Sequence, residues 1–101
     1  MAFASLWRWL TQTPVRRPDL RVLLYTRAGC PLCDEAWHLL VRFQKRYGFV
    51  LDAKDVDHSD DLAREFGQCV PVVAINGKVR FRGHVNEVLL RRMLDHAGFE
   101  A

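Results

Sequence analysis

The chain has 101 residues, of which 50% are hydrophobic and 27% are charged, and its formal net charge is +3 at pH 7. This length fits a single domain, and no apolar run approaches the roughly 20 residues that span a bilayer. The mild positive charge is not arranged as a basic stripe interleaved with aromatic residues, so nucleic acid is not expected as a partner.

Residues 1–19 are predicted to form an extension to a domain at residues 20–101. Apolar residues recur in the extension at helical spacing, and these are Phe3, Leu6, Trp7 and Leu10. Pro14 and Pro18 follow and favour an extended linker. We expect the apolar face of this short helix to pack on the domain. Docking to a membrane surface or to a partner protein is the alternative that is not favoured, because the stretch is short and carries one charge.

The first strand and the first long helix are predicted between residues 21 and 48. RVLLYT, at residues 21–26, is a short continuous apolar run that is typical of a strand buried on both faces. Residues 31–47 show helical spacing, and their apolar side consists of Ala36, Trp37, Leu40, Phe43 and Tyr47. Gly48 follows where a helix C-cap favours glycine. We therefore expect Trp37 to lie in the core.

A second strand and a short helix are predicted next. The segment FVLDAKDV, residues 49–56, is interpreted as a strand. Ser59 is then the N-cap candidate of a helix of one to two turns, with two aspartates in its first turn and Gly67 at its end.

VPVVAI and KVRFR are predicted to be the two strands of a hairpin, joined by an Asn-Gly pair. This pair is the strongest short-range signal for a hairpin. Because side chains alternate along a strand, we expect Val79 and Phe81 to point inward and Arg80 and Arg82 to point outward.

Asn86 is predicted to cap a last helix that ends at Gly98. The expected inner face of this helix consists of Leu89, Leu90, Met93, Leu94 and Ala97, while Arg91 and Arg92 point to solvent. The resulting order βαβαββα predicts an α/β fold. Two parallel strands joined by a right-handed crossover, followed by a hairpin, give a four-stranded mixed sheet with helices on its faces.

The chain has three cysteines, Cys30, Cys33 and Cys69, which is an odd count. A secreted disulfide scaffold is expected to show an even and dispersed set. The N-terminal stretch also makes a poor signal peptide, because it lacks a basic start and Arg8 interrupts its apolar run. We therefore expect a reducing, cytoplasmic setting, in which a short-spaced cysteine pair is catalytic or metal-binding rather than structural.

The spacing of Cys30 and Cys33 favours disulfide exchange. If Cys30 stands at the start of the helix, beside Pro31, then free backbone N–H groups and the positive end of the helix dipole favour its thiolate. The thiolate is the species that attacks a disulfide. Cys33 lies one turn further along the same face, roughly 5 to 6 Å away, within the Cα range of a disulfide. One cysteine can then attack and the other can resolve the mixed disulfide.

A metal site is the alternative reading of the same pair. C-x-x-C is half of a zinc site, and Cys69, His58 or His84 would have to complete it. No second C-x-x-C or C-x-x-H occurs in the chain. This alternative describes a binding module that holds zinc or an iron–sulfur cluster through Cys30, Cys33 and Cys69.

A C-x-x-C at a strand-to-helix junction, about forty residues before a Val-Pro and a hairpin, is the pattern of the thioredoxin fold, and here the chain resembles glutaredoxins. CPLC is close to the Cys-Pro-aromatic-Cys of that family. CVPVVAINGK is similar to its Thr-Val-Pro segment and hairpin, and RGHVNEVL corresponds to the glycine-rich turn before its last helix. CPLCDEA also matches the C-x-L-C-D-E-A signature of a group of small glutaredoxin-like proteins. The resemblance covers residues 21–97.

The resemblance implies catalytic roles for the cysteine pair, with Cys30 as the nucleophile and Cys33 as the resolving thiol. It implies that Pro71 is a cis-proline facing them. The backbone of Val70 is then turned toward the incoming disulfide and pairs with it like the edge of a strand.

The resemblance also implies substrate-binding roles for Arg27, Leu32 and Asn86. Arg27 matches a basic residue three positions before the nucleophile, and Leu32 stands at the aromatic position between the cysteines. Asn86 belongs to the start of the last helix, where glutaredoxins bind the γ-glutamyl carboxylate of glutathione. The chain departs from the family at His84, which replaces a glycine of the turn, and at Glu87, which places an acid where that carboxylate docks.

We therefore interpret the chain as a glutaredoxin-like thiol–disulfide oxidoreductase that acts on protein or glutathione disulfides. A reductase or glutathione is the expected electron donor, with glutathione as a candidate co-substrate and no resident cofactor or metal. Two other classes remain as alternatives: the metal-binding module and a non-enzymatic adaptor that uses the face of Phe3, Trp7 and Leu10.

Overall fold

A four-stranded mixed sheet with the strand order β2–β1–β3–β4 organises the computed structural model, which describes residues 15–100. The strands are β1 (Arg21–Thr26), β2 (Val50–Asp55), β3 (Val72–Ile75) and β4 (Lys78–Arg82). The α-helices are α1 (Pro31–Tyr47), α2 (Asp60–Phe66) and α3 (Glu87–Asp95), and a 3-10 turn covers Val56–His58. β1 pairs parallel with β2 and antiparallel with β3, which pairs antiparallel with β4. The predicted α/β order and mixed sheet are confirmed, whereas the predicted N-terminal helix lies outside the described residues.

Local sequence signals set the ends of α1. The helix begins at Pro31, where a proline loses no hydrogen bond, and Cys30 is its N-cap. At the other end Gly48 has φ 77° and donates its N–H to the carbonyl of Gln44 at 2.7 Å. Within residues 15–100, no helix is long and apolar enough to cross a membrane.

Hydrophobic cores lie on both faces of the sheet. The larger core joins the sheet to α1 and α3, and it includes Val22 and Leu24 of β1. The smaller core is built from Val56, Phe66 and Val72 and takes Tyr25 of β1 at its margin. Helices therefore cover both faces, as predicted.

The prediction that Trp37 lies in the core is wrong. Its relative exposure is 36%, whereas Leu39 and Leu40 are buried. α1 contacts both the sheet and the α3 side of the larger core, so its buried arc extends toward Leu39. Trp37 falls at the opposite, solvent margin of that arc, since each helical residue turns by about 100°.

The predicted alternation of β4 is wrong because the strand contains a β-bulge. Val79 pairs with Ala74 and Phe81 pairs with Val73, which leaves Arg80 as an extra residue. An extra residue moves the following side chains to the other face. Val79 consequently packs at the smaller core, and Phe81 lies in the larger one.

Arg80 is half-buried and does not point freely into solvent. Its side chain is 28% exposed, forms an ion pair with Glu100, and lies over the ring of Phe99 at 5.0 Å from the ring centre. Arg82 is exposed, as predicted.

The last helix begins as predicted and ends earlier than predicted. The Oδ1 of Asn86 accepts the N–H of Leu89 at 2.9 Å, which caps α3. The helix ends at Asp95, before Gly98. Leu90 and Leu94 are buried, but the predicted inner residues Leu89 and Ala97 are exposed.

Arg17 explains why the chain leaves the helix at this point. Its buried guanidinium donates to the carbonyls of Leu94 at 3.3 Å and His96 at 3.0 Å, and also to the carbonyl of Phe99. Phe99 returns in this way to pack against the larger core. The segment before β1 is thus hydrogen-bonded to the C-terminal end of the described chain.

Between pH 10 and pH 12 the free energy of unfolding is expected to fall as the pH rises, and replacing Tyr47 by phenylalanine is expected to make this fall smaller. Tyr47 is fully buried, and its hydroxyl donates to Oδ1 of Asp95 at 2.5 Å. The pKa of the phenol is raised from 10.0 to about 12, mainly by burial and secondly by this hydrogen bond. The neutral phenol therefore stabilises the folded state fully below pH 10, and this contribution is lost as the pH rises to about 12. Urea unfolding of both oxidised proteins from pH 8 to pH 12 measures the effect. Parallel stability profiles would contradict it.

Candidate functional site

Cys30 and Cys33 form a disulfide at the N-terminus of α1, with their Cα atoms 5.2 Å apart. Cys30 has extended backbone angles and is the N-cap, and its Sγ accepts the N–H of Cys33 at 3.1 Å. Its carbonyl accepts the N–H of Asp34 at 3.1 Å. The predicted cysteine pair is therefore brought together where a helix end directs donors at the Cys30 sulfur.

The two cysteines differ in access. Cys33 is 1% exposed, whereas Cys30 is half-buried and is followed by the exposed Pro31 and Leu32. Cys30 is therefore the more exposed member of the pair, and Cys33 is closed to an incoming molecule. This asymmetry suits one attacking and one resolving thiol.

Pro71 lies beside this helix end, at the start of β3. Its peptide bond with Val70 is cis, as predicted. The carbonyl of Pro71 accepts the N–H of Gly83 at 2.8 Å, which ties this segment to the turn before α3. Within residues 15–100, the N–H and C=O of Val70 pair with no other backbone group. They stay available for an extended ligand.

A groove of about 290 Å³ lies between α1 and the turn that precedes α3, and it begins at Leu32, which stands between the two cysteines in the chain. Its wall on α1 includes Leu32, Glu35, Leu39 and Arg42, and the facing wall includes Pro71 and Glu87. Nη2 of Arg42 lies 3.6 Å from Oε1 of Glu87, so an ion pair crosses the groove. The groove therefore joins an apolar end at Leu32 and Pro71 to a charged end.

Arg27 does not line this groove. Its guanidinium makes a two-pronged ion pair with Asp57, with both N–O distances 3.0 Å, and donates to the carbonyl of Gly67 at 2.8 Å. The hydrogen bonding that Arg27 donates to the Asp57 carboxylate raises the pKa of Arg27 above its ordinary value. The structure thus places Arg27 as a brace between the β1–α1 loop and α2.

Asn86 stands next to the groove, between two lining residues, Val85 and Glu87. Its side chain caps α3 through Leu89 and is not among the groove residues. Of the substrate-binding residues predicted from the sequence, Leu32 and Pro71 line the groove, Val70 adjoins it, and Arg27 and Asn86 make internal bonds.

Cys69 is a free, half-buried thiol that packs at the smaller core. Its sulfur lies 3.8 Å from Nη1 of Arg82. Among the described residues, no three His, Cys, Asp or Glu side chains are grouped so that they would hold a metal ion. The metal-binding alternative therefore stays a hypothesis from the sequence alone.

Sequence reasoning missed the groove wall on α1. Leu32, Glu35, Leu39 and Arg42 follow one another at intervals of three, four and three residues. This spacing places them on one helical stripe. The stripe is visible in the sequence, but two of its members are charged, and nothing in the sequence indicates that it lines a groove.

Comparisons with known proteins agree with this architecture. The model of a family described as "Glutaredoxin-like domain (DUF836)" matches residues 21–95. An uncharacterized protein of Mycobacterium tuberculosis is 32% identical over 88 residues, which cover 82% of this chain and 89% of the relative. A probable thioredoxin of Methanothermobacter thermautotrophicus is 33% identical over 67 residues, covering 63% of this chain and 79% of that protein. The solved structure of a mutant thioredoxin from Halobacterium salinarum matches with a TM-score of 0.59 at 17% identity, covering 83% and 92% of the two chains, and shows the thioredoxin fold.

Proposed function

The chain belongs to the glutaredoxin-like domain (DUF836) family, and we propose that it is a thiol–disulfide oxidoreductase whose redox couple is Cys30 and Cys33. The observation that carries this proposal is the unequal exposure of the two cysteines. Cys30 is half-buried at a helix N-terminus, and its disulfide partner Cys33 is 1% exposed. A disulfide that only stabilises the fold does not require one exposed and one buried cysteine.

The proposed reaction begins with the reduced protein. The Cys30 thiolate attacks one sulfur of a substrate disulfide, forms a mixed disulfide, and releases the other substrate sulfur as a thiolate. The Cys33 thiolate then attacks Sγ of Cys30 and releases the second substrate thiolate. Two electrons reach the substrate, and the Cys30–Cys33 disulfide remains. The N–H of Cys33, which points at the Cys30 sulfur in the structure, stabilises the attacking thiolate.

Substrate binding is proposed at the apolar end of the groove. Leu32, between the two cysteines in the chain, is 51% exposed, and it lines the groove together with Pro71. The unpaired backbone groups of Val70 offer hydrogen bonds to an extended peptide, as a strand edge does. These features support a protein or peptide disulfide as substrate.

The Cys30–Cys33 disulfide has to be reduced again after each turnover. We propose that a reductase or glutathione supplies the two electrons, that no resident cofactor takes part, and that the protein works in a reducing, cytoplasmic setting. The odd cysteine count and the C-x-x-C spacing support this setting.

The wild-type protein provides the test. The fully reduced protein is mixed under anaerobic conditions with a fluorescence-quenched peptide disulfide, and thiol release is followed together with the mass of the protein. We expect two thiols released per protein and a mass loss of two hydrogens, located by proteolysis at Cys30 and Cys33. Equilibration in glutathione redox buffers then gives the reduction potential of the couple. Absence of exchange, together with stoichiometric zinc or iron that is lost on Cys69→Ser, would favour the metal-binding module instead.

A further inference from the structure

We propose that the groove beside Cys30 selects disulfides with a basic residue next to the substrate cysteine and discriminates against anionic disulfides such as oxidised glutathione. This inference rests on the proposed function and names its substrate class. It follows from how the charged groups around the groove are paired.

The groove carries an excess negative charge. Glu35 and Glu87 contribute two carboxylates, and Arg42 contributes one guanidinium. Arg42 is bonded to Glu87, whereas Glu35 is exposed and has no ion-pair partner among residues 15–100. A cation that enters the groove therefore meets the unpaired carboxylate of Glu35. An anion meets the guanidinium of Arg42, which already faces Glu87, and the imidazole of His84, the remaining titratable group of the lining.

Two other groups that might take an anion each lie beside a carboxylate of the protein. Arg27 is held by Asp57 in a two-pronged ion pair, a geometry that is stronger than a single contact. At the N-terminus of α3, Asn86 takes the N–H of Leu89, and Glu87 adds a negative charge in the first turn. A substrate carboxylate would have to compete with Asp57 at Arg27, and at the N-terminus of α3 it would meet the negative charge of Glu87.

The position of Glu35 matches a residue next to the substrate cysteine. It lies five residues after Cys30 on α1, about 7.5 Å along the helix axis. A lysine or arginine side chain spans a similar length, so we expect its charged end to approach Glu35 when the neighbouring cysteine meets Cys30. The apolar end of the groove, at Leu32 and Pro71, accommodates the stem of the same side chain.

The test uses three end-capped peptide disulfides that differ only in the residue next to cysteine: lysine, glutamine or glutamate. The rate constant for oxidation of the reduced protein is measured for each peptide and for oxidised glutathione at low salt. We expect the lysine peptide to react about three- to tenfold faster than the glutamate peptide, since one exposed charge contact changes a rate by up to about fivefold. Oxidised glutathione is expected to be slower than the glutamine peptide. The lysine-to-glutamate ratio should fall toward one as salt is raised to about 1 M.

Glu35→Lys is expected to abolish or invert this ratio. The control is Asp52→Lys, the same change of charge at an exposed residue of β2, the strand at the far edge of the sheet, and it should leave the ratio unchanged. Equal rates for the three peptides, or a ratio that Glu35→Lys does not alter, would overturn the selection while exchange with the glutamine peptide still supports the oxidoreductase. If no peptide reacts with the wild-type protein, the proposed function fails as well.

Discussion

Replacing Cys30 by serine is expected to reduce disulfide exchange to the rate of the uncatalysed reaction, whereas replacing Cys33 by serine is expected to trap the substrate. Cys30 is the more exposed cysteine of the pair, and a serine hydroxyl does not attack disulfides. In the Cys33 variant the first attack proceeds, but no second thiol is present to displace the product. The mixed disulfide on Cys30 should therefore accumulate to about one per protein.

Mass spectrometry of the intact proteins after mixing with the peptide disulfide measures both outcomes. Each variant is also made in a Cys69→Ala background, because Cys69 is a third thiol of intermediate exposure. The adduct of the Cys33→Ser variant should be located on Cys30 whether or not Cys69 is present. Exchange that persists in Cys30→Ser, or an adduct on Cys69, would contradict the assigned roles.

Replacing Arg17 by methionine is expected to lower the free energy of unfolding by about 3 kcal/mol, because buried carbonyls lose their donors. The guanidinium is 4% exposed and binds Leu94, His96 and Phe99 through their carbonyls. Methionine fills a similar volume but donates no hydrogen bond. Urea unfolding of the oxidised proteins at pH 7 measures the change.

Arg16 offers a matched control for this experiment. It also donates to helix carbonyls, those of Lys45 and Arg46, but it does so at the exposed surface. Arg16→Met should therefore cost less than about 1 kcal/mol. Arg17→Lys should restore part of the stability, since an ammonium can donate to some of the carbonyls but lacks the planar fork of arginine. An Arg17→Met variant as stable as Arg16→Met would refute the role assigned to Arg17.

Signals that act over a few residues were read correctly from the sequence. Cys30, Ser59 and Asn86 each cap the helix that was predicted to follow them. Gly48 ends α1 in the left-handed region, as its position predicted. These features depend on backbone groups within one turn of the residue, so neighbouring sequence is sufficient to specify them.

Features that depend on packing between two secondary-structure elements are not predicted by local sequence. The exposure of Trp37 depends on where α3 meets α1, and the bulge at Arg80 exists only relative to the register of β3. The early end of α3 depends on Arg17, which is distant in sequence. In each case a periodic pattern is visible in the sequence, but packing against a second element determines which part of the pattern is buried.

The candidate site also combines features set by neighbouring residues with features that depend on distant parts of the chain. A separation of three residues at a helix start predicts how close Cys30 and Cys33 lie, and it leaves disulfide exchange and metal binding as alternatives; the structure joins the two cysteines in a disulfide. Only the tertiary structure decided which charges face the groove, since Arg27 and Arg42 find their partners on other elements, at Asp57 and Glu87. The sequence does not show which carboxylate pairs with an arginine, because the two residues are far apart in the chain and come together only in the folded protein.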